Sequence, residues 1–285
     1  MYKLDEIQTL HIELTTGCQA ACPMCDRTHR DLTTTNVTYE QFKEWFPKSF
    51  IKQLDMLIIC GNYGDAVVNP HTIDIIRGVR KQNKDIVIQF HTNGSARDVR
   101  WWKRLARYNV DVIFAIDGLE DTHSIYRINT DFRKIRKNAT AFISAGGFAH
   151  WHMLLFEHNE HQMISAKMMS EQLGFKSFKV KYTTRFENGE FEGLAPASTY
   201  VDTVKPGFCM VEKWKHIYVD AHGNLFPCPY TAFLDYKHEL PYSNLNDTTL
   251  EEVFDTDYFD DVKLGWFSEP LTQCKEICGM CDEDC

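Results

Sequence analysis

The sequence has no uninterrupted apolar run long enough to cross a bilayer, which argues against a membrane-spanning helix. Its first residues, Met1–Ile7, carry acids and lack the apolar core of a signal peptide. We therefore expect a cytoplasmic protein with no membrane partner.

An excess of basic residues is also absent: 31 Lys and Arg stand against 40 Asp and Glu, a net charge of −9. Such a chain does not attract phosphates as a whole, so nucleic acid is disfavoured as a partner. The exception is a basic segment that we expect to share one helical face: Arg97, Arg100, Lys103, Arg104 and Arg107. Most such faces are simply solvated, but this one leaves open an RNA-modifying role, for which RNA retention would weaken steeply with salt.

Structural disulfides are not expected, because the ten cysteines would sit in a reducing compartment. Nine of them fall into groups at short spacing, which favours metal ligands. Cys60 stands apart in an apolar strand, where we expect it to act as a small buried hydrophobe.

The first group, Cys18, Cys22 and Cys25, lacks a fourth ligand. A disulfide would leave one thiol over, whereas a tetrahedral zinc site or a cubane iron-sulfur cluster takes four ligands. His29 is an alternative that would complete a zinc site.

Strand-like and helix-like segments alternate up to about residue 183, which predicts βα repeats around a parallel sheet. The predicted strands are 9–14, 55–60, 85–91, 111–116, 149–156 and 176–182. Turn-forming residues without hydrophobic period then indicate a linker. We therefore place one domain at 1–190 and a second at 191–285.

Polar or glycine-containing segments follow the second, third and fourth strands, at the edge of a parallel sheet where ligands collect. They are Gly61-Asn62-Tyr63-Gly64-Asp65, then Thr92-Asn93-Gly94, then Asp117 with Arg127 ten residues later. Each has a plainer alternative: the first two are also turn sequences, and Asp117 and Arg127 would make an ordinary ion pair.

A CxxxCxxC motif followed by these elements in this order resembles the radical S-adenosylmethionine (radical SAM) superfamily. The resemblance implies an α/β fold, a partial (β/α)6 TIM-like barrel. It also implies a 4Fe-4S cluster on Cys18, Cys22 and Cys25, whose fourth iron is left for the amino and carboxylate groups of S-adenosylmethionine.

By the same resemblance, Gly61 to Asp65 form a variant of the "GGE" element, with Asp65 in the place of the usual Glu. Thr92, Asn93 and Gly94 form the "TNG" element. Asp117 is implied as a ribose-side contact, Arg127 as a partner of the methionyl carboxylate, and Met24 as a further cofactor contact.

The fifth predicted strand and its sequel carry four histidines within twelve residues. We do not assign a metal there, because the histidine pairs lie on different elements. Asn159 and Gln162 are typical of a helix N-cap and its partner. His152, His158 and Asn159 would also lie at the barrel mouth, which makes them our candidate substrate contacts.

The second domain places Cys209 and Cys228 at the two ends of a predicted β-hairpin. A helix follows, with Thr248 and Glu251 as its expected capping box. This region resembles the SPASM and twitch extensions of radical SAM enzymes, and the pattern fits one auxiliary iron-sulfur cluster, which we take to be 4Fe-4S. We assign its ligands to Cys209, Cys228, Cys278 and Cys281, with Cys274 as a replacement for one of the last two. Cys285 is a spare, and a structural zinc ribbon is the alternative.

The resemblance implies an enzyme that forms a 5′-deoxyadenosyl radical and abstracts hydrogen from a peptide or a small, sugar-like substrate. Oxidation, cross-linking and epimerisation are the expected outcomes. The partners are that substrate and an external one-electron donor such as flavodoxin or ferredoxin. The alternative from another class is an iron-sulfur electron-transfer or metal-binding protein without chemistry of its own.

Overall fold

The computed structural model describes residues 3–183, 185–188, 191–200, 209–233, 243–256, 272 and 274–278. Its strands are β1 Thr9–Ile12, β2 Met56–Ile59, β3 Val87–Thr92, β4 Val110–Ala115, β5 Phe148–Leu154, β6 Ser177–Lys181, β7 His216–Val219, β8 Asn224–Phe226 and β9 Ser243–Asn244. Its α-helices are α1 Tyr39–Trp45, α2 Lys48–Gln53, α3 Thr72–Gln82, α4 Val99–Leu105, α5 His123–Tyr126, α6 Phe132–Ser144, α7 Met163–Leu173, α8 Met210–Trp214 and α9 Leu250–Phe254.

These strands form one sheet in the order β6-β5-β4-β3-β2-β1-β7-β8-β9. The first six are neighbours in chain order and all pair in parallel, as expected for strands joined by crossover helices. All six predicted strands are confirmed, and each observed boundary lies within two residues of the predicted one.

The two faces of the parallel sheet differ in burial. Side chains on the outer face are almost fully excluded from solvent: Leu10, Ile12, Leu57, Ile59, Ile88, Phe90, Val112, Phe114, Ala149, Trp151 and Met153. The helices cover this face, for example through Trp102 of α4, whose ring centre lies 5.2 Å from that of Phe114. Each such side chain contributes roughly 1.5–3 kcal/mol on burial. Residues on the other, inner face stay half-buried, which leaves a concave surface for a ligand.

The predicted C-terminal hairpin is confirmed by the antiparallel pairing of β7 with β8. It is not separate from the sheet, because β7 pairs in parallel with β1, from Thr9 opposite His216 to Ile12 opposite Val219. Cys228 comes two residues after β8, and the first cysteine group follows β1. Both groups are therefore attached to strands of the same sheet. The domain boundary near residue 190 stays a prediction.

Two local predictions were wrong. The capping box of α9 is Thr249 with Glu252, one residue later than expected, and the Thr249 hydroxyl accepts from the Glu252 amide at 3.2 Å. Arg97 is not on the basic face of α4, because it precedes the helix at a φ of 62° and its guanidinium donates to the carbonyls of Val67 and Val68. In the described part of the chain, every helix is too short or too polar to cross a membrane.

Candidate functional site

The cysteine loop after β1 holds three free thiols in a partly apolar setting. Cys22 is buried and packs in a cluster with Met24, with Tyr126 at the end of α5 and with Phe156 just after β5. Two donors reach the sulfurs from elsewhere in the chain: Asn93 Nδ2 lies 3.6 Å from Cys18 Sγ, and an Arg127 nitrogen lies 3.8 Å from Cys22 Sγ. The loop therefore meets the ends of β3 and β4.

Without a metal, the surroundings of these thiols favour the protonated form. Burial, together with nearby Asp65, Cys22 and Cys25, raises the pKa of the Cys18 thiol to about 12. Burial also raises the pKa of Cys22, opposed by the positive charge of Arg127. Iron would supply the positive charge that stabilises three thiolates together, so this donor set fits a cluster. His29, the alternative zinc ligand, bonds instead to the Pro23 carbonyl.

Asp65 organises the loops that follow β2 and β3. Its Oδ2 accepts three hydrogen bonds: from the Thr92 hydroxyl at 2.9 Å, the Asn93 amide nitrogen at 2.8 Å and Asn93 Nδ2 at 2.6 Å. Its Oδ1 accepts from the Val67 amide at 3.1 Å. Burial raises the pKa of this carboxyl group, while these donors favour the ionised form. The acid therefore fixes Asn93 beside Cys18.

The two glycines of the second loop are required by close approach. A Cβ on Gly64 would lie 1.7 Å from the Thr15 carbonyl oxygen, and one on Gly61 would lie 2.3 Å from Glu13 Oε1. Only glycine allows this backbone to pack against the chain that leads into the cysteine loop. Asn62 turns the other way and donates to the Pro229 carbonyl at 2.7 Å.

Glu13, which was not among the predicted site residues, binds the backbone of this loop. Its Oε1 accepts from the amides of Tyr63 at 2.7 Å and Gly64 at 2.9 Å, and Tyr218 of β7 donates to its Oε2 at 3.4 Å. Burial raises the pKa of Glu13 to about 7. The sequence did contain a signal for this role. Glu13 is a charged residue directly after an apolar strand, at a position that the alternation of side chains turns inward.

In the third loop, Gly94 follows Thr92 and Asn93 with a φ of 73°, in the left-handed region. A Cβ there would lie 2.7 Å from the Phe114 ring, so this turn also depends on glycine. Asn93 is held from two sides, because its Oδ1 accepts from Gln19 Nε2 at 2.5 Å and from the Ser95 amide at 3.0 Å.

Asp117 and Arg127 form the ion pair that the sequence left open, with 2.6 Å between Asp117 Oδ2 and Arg127 Nε. Asp117 is fully buried, and its Oδ1 accepts from the Leu154 amide at 2.7 Å. Asp117 and the sulfur of Cys22 raise the pKa of Arg127 above its usual range, against the effect of burial. The guanidinium thus stays charged between a carboxylate and a cysteine.

The three candidate substrate contacts differ in what they touch. The His152 ring lies on the inner face, with its centre 6.5 Å from that of His91. His158 stacks on Phe156 at 5.2 Å, and both its ring nitrogens are buried without a hydrogen-bond partner among the described residues. Asn159 is fully buried and makes no capping bond; its amide donates to the Asp117 and Leu154 carbonyls at 3.2 and 3.0 Å.

The second cysteine group surrounds the end of the hairpin. Cys209 is the N-cap residue just before α8, Cys228 follows β8, and both are half-buried. Burial raises the pKa of Cys228 to about 11 and raises that of Cys278, and the neighbouring Cys209 adds to both shifts. Cys274 is buried against the main core. Cys281 and Cys285 lie outside the described residues.

Two known protein families match this chain. Residues 12–167 match the profile of the radical SAM superfamily, which is more than half of the chain. Residues 209–282 match SPASM, an iron-sulfur cluster-binding domain. The family predicted from the cysteine motif is therefore confirmed, together with its 4Fe-4S cluster, its S-adenosylmethionine and an iron-sulfur centre in the C-terminal region.

Solved structures share the fold. SuiB of Streptococcus suis bound to its precursor peptide SuiA matches with a TM-score of 0.70 at 12% identity, over 98% of this chain and 72% of that one. Native anSMEcpe with bound AdoMet and Cp18Cys peptide matches with a TM-score of 0.66 at 15% identity, over 98% of this chain and 91% of that one. These likenesses confirm the predicted partial barrel.

One curated relative is similar over part of its length. It is the tungsten-containing aldehyde ferredoxin oxidoreductase cofactor-modifying protein of Pyrococcus furiosus, 27% identical over 123 residues. The match spans 41% of this chain and only 32% of that relative.

Proposed function

Because this chain belongs to the radical SAM superfamily, we propose that it reductively cleaves S-adenosylmethionine and abstracts hydrogen from a substrate at the barrel mouth. The observation that carries the proposal is that three free thiols lie next to two loops with charged and hydrogen-bonded side chains. Asn93 beside Cys18 and Arg127 beside Cys22 bring the thiols and the polar loops into one site.

In this site, Cys18, Cys22 and Cys25 would hold three irons. A bound cluster would supply one electron and an open iron to S-adenosylmethionine, from which a 5′-deoxyadenosyl radical forms. Arg127 stabilises the nearby thiolate of Cys22 and presents a cation to the methionyl carboxylate.

Asp65 and the backbone of Gly61 to Gly64 would receive the amino group of S-adenosylmethionine, since a buried carboxylate attracts a cation. Thr92, Asn93 and Gly94 would line the methionyl and ribose side, and Asp117 the ribose. Met24, buried in the apolar cluster with Cys22, keeps water from the sulfurs.

Cys209, Cys228 and Cys278, with Cys281 or Cys274, would hold one auxiliary cluster. The mutual electrostatic effect of Cys209 on Cys228 and Cys278 supports a common site for these thiols. Such a centre would take up an electron from the substrate or orient it, and an external donor such as flavodoxin or ferredoxin would supply the first electron.

The proposed substrate is a peptide or a small polar molecule, with oxidation, cross-linking or epimerisation as the outcome. Peptides are bound by two proteins of the same fold, SuiB and anSMEcpe, which favours a peptide. His152 and His158 remain the proposed substrate contacts on the inner face and at its rim.

The test is reduction of anaerobically purified protein with dithionite in the presence of S-adenosylmethionine. We expect a brown protein containing iron and sulfide, and 5′-deoxyadenosine as a product separated by liquid chromatography. An iron-sulfur protein that forms no 5′-deoxyadenosine would instead support the electron-transfer alternative. A colourless zinc protein would refute the cofactor assignment.

A further inference from the structure

The inner face of the sheet carries two lysines on its edge strand. Phe178 and Val180 of β6 pack against the main core, so the alternation of the strand turns Lys179 and Lys181 to the opposite, inner side. Lys181 pairs in register with Leu154, the residue whose amide binds Asp117. Lys181 therefore lies level with the site described above, at the carboxyl ends of the strands.

The groups that face Lys181 across the concave surface are neutral. Burial lowers the pKa of His91 and of His152 to about 4 each, and the charge of Lys181 is the next largest cause for both. Lys181 is also close enough to Cys60, directly after β2, to oppose the rise in the pKa of that thiol. Its ammonium therefore acts on groups from β2, β3 and β5.

The acids near this surface already have partners. Asp111 lies 3.7 Å from His150, and Glu13 accepts from Tyr63 and Gly64. Asp65 and Asp117 are bound by donors of their own loops and by Arg127, as described above. Within the described residues, Lys181 has no ion-pair partner. It is an exposed cation on a surface whose carboxylates are occupied.

We propose that Lys181 binds a carboxylate of the substrate, with His152 as a neutral hydrogen-bond partner on the neighbouring strand. This inference rests on the proposed function and adds the substrate class: an acidic molecule. A chain with a net charge of −9 repels anions in general, so selecting one needs a local, unpaired cation. The carboxylate belongs either to an acidic peptide side chain or to a small free acid.

Binding to the anaerobic holoenzyme with S-adenosylmethionine, measured by isothermal titration calorimetry, tests the site. The probes are two matched pairs: the capped peptides Ac-Ala-Glu-Ala-NH2 and Ac-Ala-Gln-Ala-NH2, and glutarate with glutaramide. We expect one acidic probe to bind about tenfold more tightly than its amide, the range of a partly desolvated charge pair.

The variants separate a charge effect from a packing effect. Lys181→Gln should remove the preference for the acid. Lys181→Arg, which keeps the charge, should retain most of that preference. Lys176→Gln is the matched control, because Lys176 precedes β6 at the opposite end of the strand and lies over the Phe148 ring at 5.4 Å. It should leave the preference unchanged.

The outcomes are distinct. A preference for the Glu peptide identifies a peptide substrate, and a preference for glutarate alone identifies a small acid. Equal binding of acid and amide, no binding of either acid, or a preference that persists in Lys181→Gln overturns the inference. Formation of 5′-deoxyadenosine is measured on the same wild-type preparation: product without discrimination refutes only the carboxylate site, whereas discrimination without product refutes the proposed function.

Discussion

The two cysteine groups differ in what surrounds their thiols. In the first group, Cys18 and Cys22 each face a polar side chain from a distant loop, Asn93 and Arg127. In the second group, Cys228 contacts Thr231 only three residues away, at 3.8 Å, and its further electrostatic neighbours are the nearby Tyr230 and another cysteine, Cys209.

This difference indicates two kinds of metal centre. Thiols that lie beside the polar side chains of a ligand-binding site suit a cluster with an open coordination position. Thiols whose polar neighbours come from the adjacent chain segment suit a centre enclosed by the protein. The first group would then carry the reaction with S-adenosylmethionine, and the second would exchange electrons or orient the substrate.

The largest expected effect is at the first group. Cys22→Ala removes one of three thiolates, and since two cannot hold the cluster, we expect 5′-deoxyadenosine formation to be abolished. Liquid chromatography after dithionite reduction measures it. Cys60→Ala is the matched control for iron binding, and its iron content should equal that of the wild type. Persistent product in Cys22→Ala would show that the two groups were assigned in the wrong order.

The next effect tests the loops that distinguish the first group. In Asp65→Asn, an amide nitrogen replaces one acceptor oxygen, so either the donors from Thr92 and Asn93 or the Val67 amide lose their partner, at a cost on the order of 2 kcal/mol. We expect S-adenosylmethionine to bind on the order of thirtyfold more weakly, as measured by equilibrium dialysis. Asp74→Asn, on the partly exposed side of α3 where Asp74 pairs with Arg77 and Arg104, should leave the affinity unchanged. Unaltered binding in Asp65→Asn would mean that this acid has no part in the ligand site.

A smaller effect is expected at the second group. Cys228→Ala should lower bound iron by about half, since one of two four-iron clusters is lost, and should spare 5′-deoxyadenosine formation at least in part. Iron analysis and the product assay on the same preparation measure both. Unchanged iron would refute the auxiliary site, and complete loss of product would remove the distinction between the groups.

Much of this fold could be predicted from the sequence because its signals are local. Apolar runs such as Met56–Ile59 define strands, and the capping box of α1, Thr38 with Gln41, lies within four consecutive residues. Where two local signals compete, the sequence does not decide: Thr248 and Thr249 are each followed by Glu three residues later. Burial of Leu250 and Val253 places the cap at Thr249.

The residues of the candidate site could be predicted where they belong to one short motif. They could not be predicted where a hydrogen-bond partner lies far away in the sequence. The loops at Asp65 and Asn93 follow directly from strand ends. Glu13 binds partners 50 and 205 residues away, Tyr63 and Tyr218. The pairing of β7 with β1 that brings Tyr218 there has no signature in either strand alone.

The last effect, on stability and not on activity, concerns Glu13, which joins the two regions through Tyr63 and Tyr218. Its pKa is about 7 in the folded chain against an ordinary 4.5. Between these values the folded state holds a proton that the unfolded state has released. Stability therefore falls as pH rises through this window, by up to roughly 3 kcal/mol, and is constant above it.

Glu13→Gln keeps an oxygen acceptor for the amides of Tyr63 and Gly64 but cannot ionise. We expect its thermal unfolding midpoint to rise relative to that of the wild type between about pH 5 and pH 7. Glu44→Gln, on the exposed side of α1, should show no such trend. A constant difference between Glu13→Gln and the wild type across this range would mean that the carboxylate is already ionised at the lower pH. The hydrogen bonds from Tyr63, Gly64 and Tyr218 would then stabilise a buried charge at this junction.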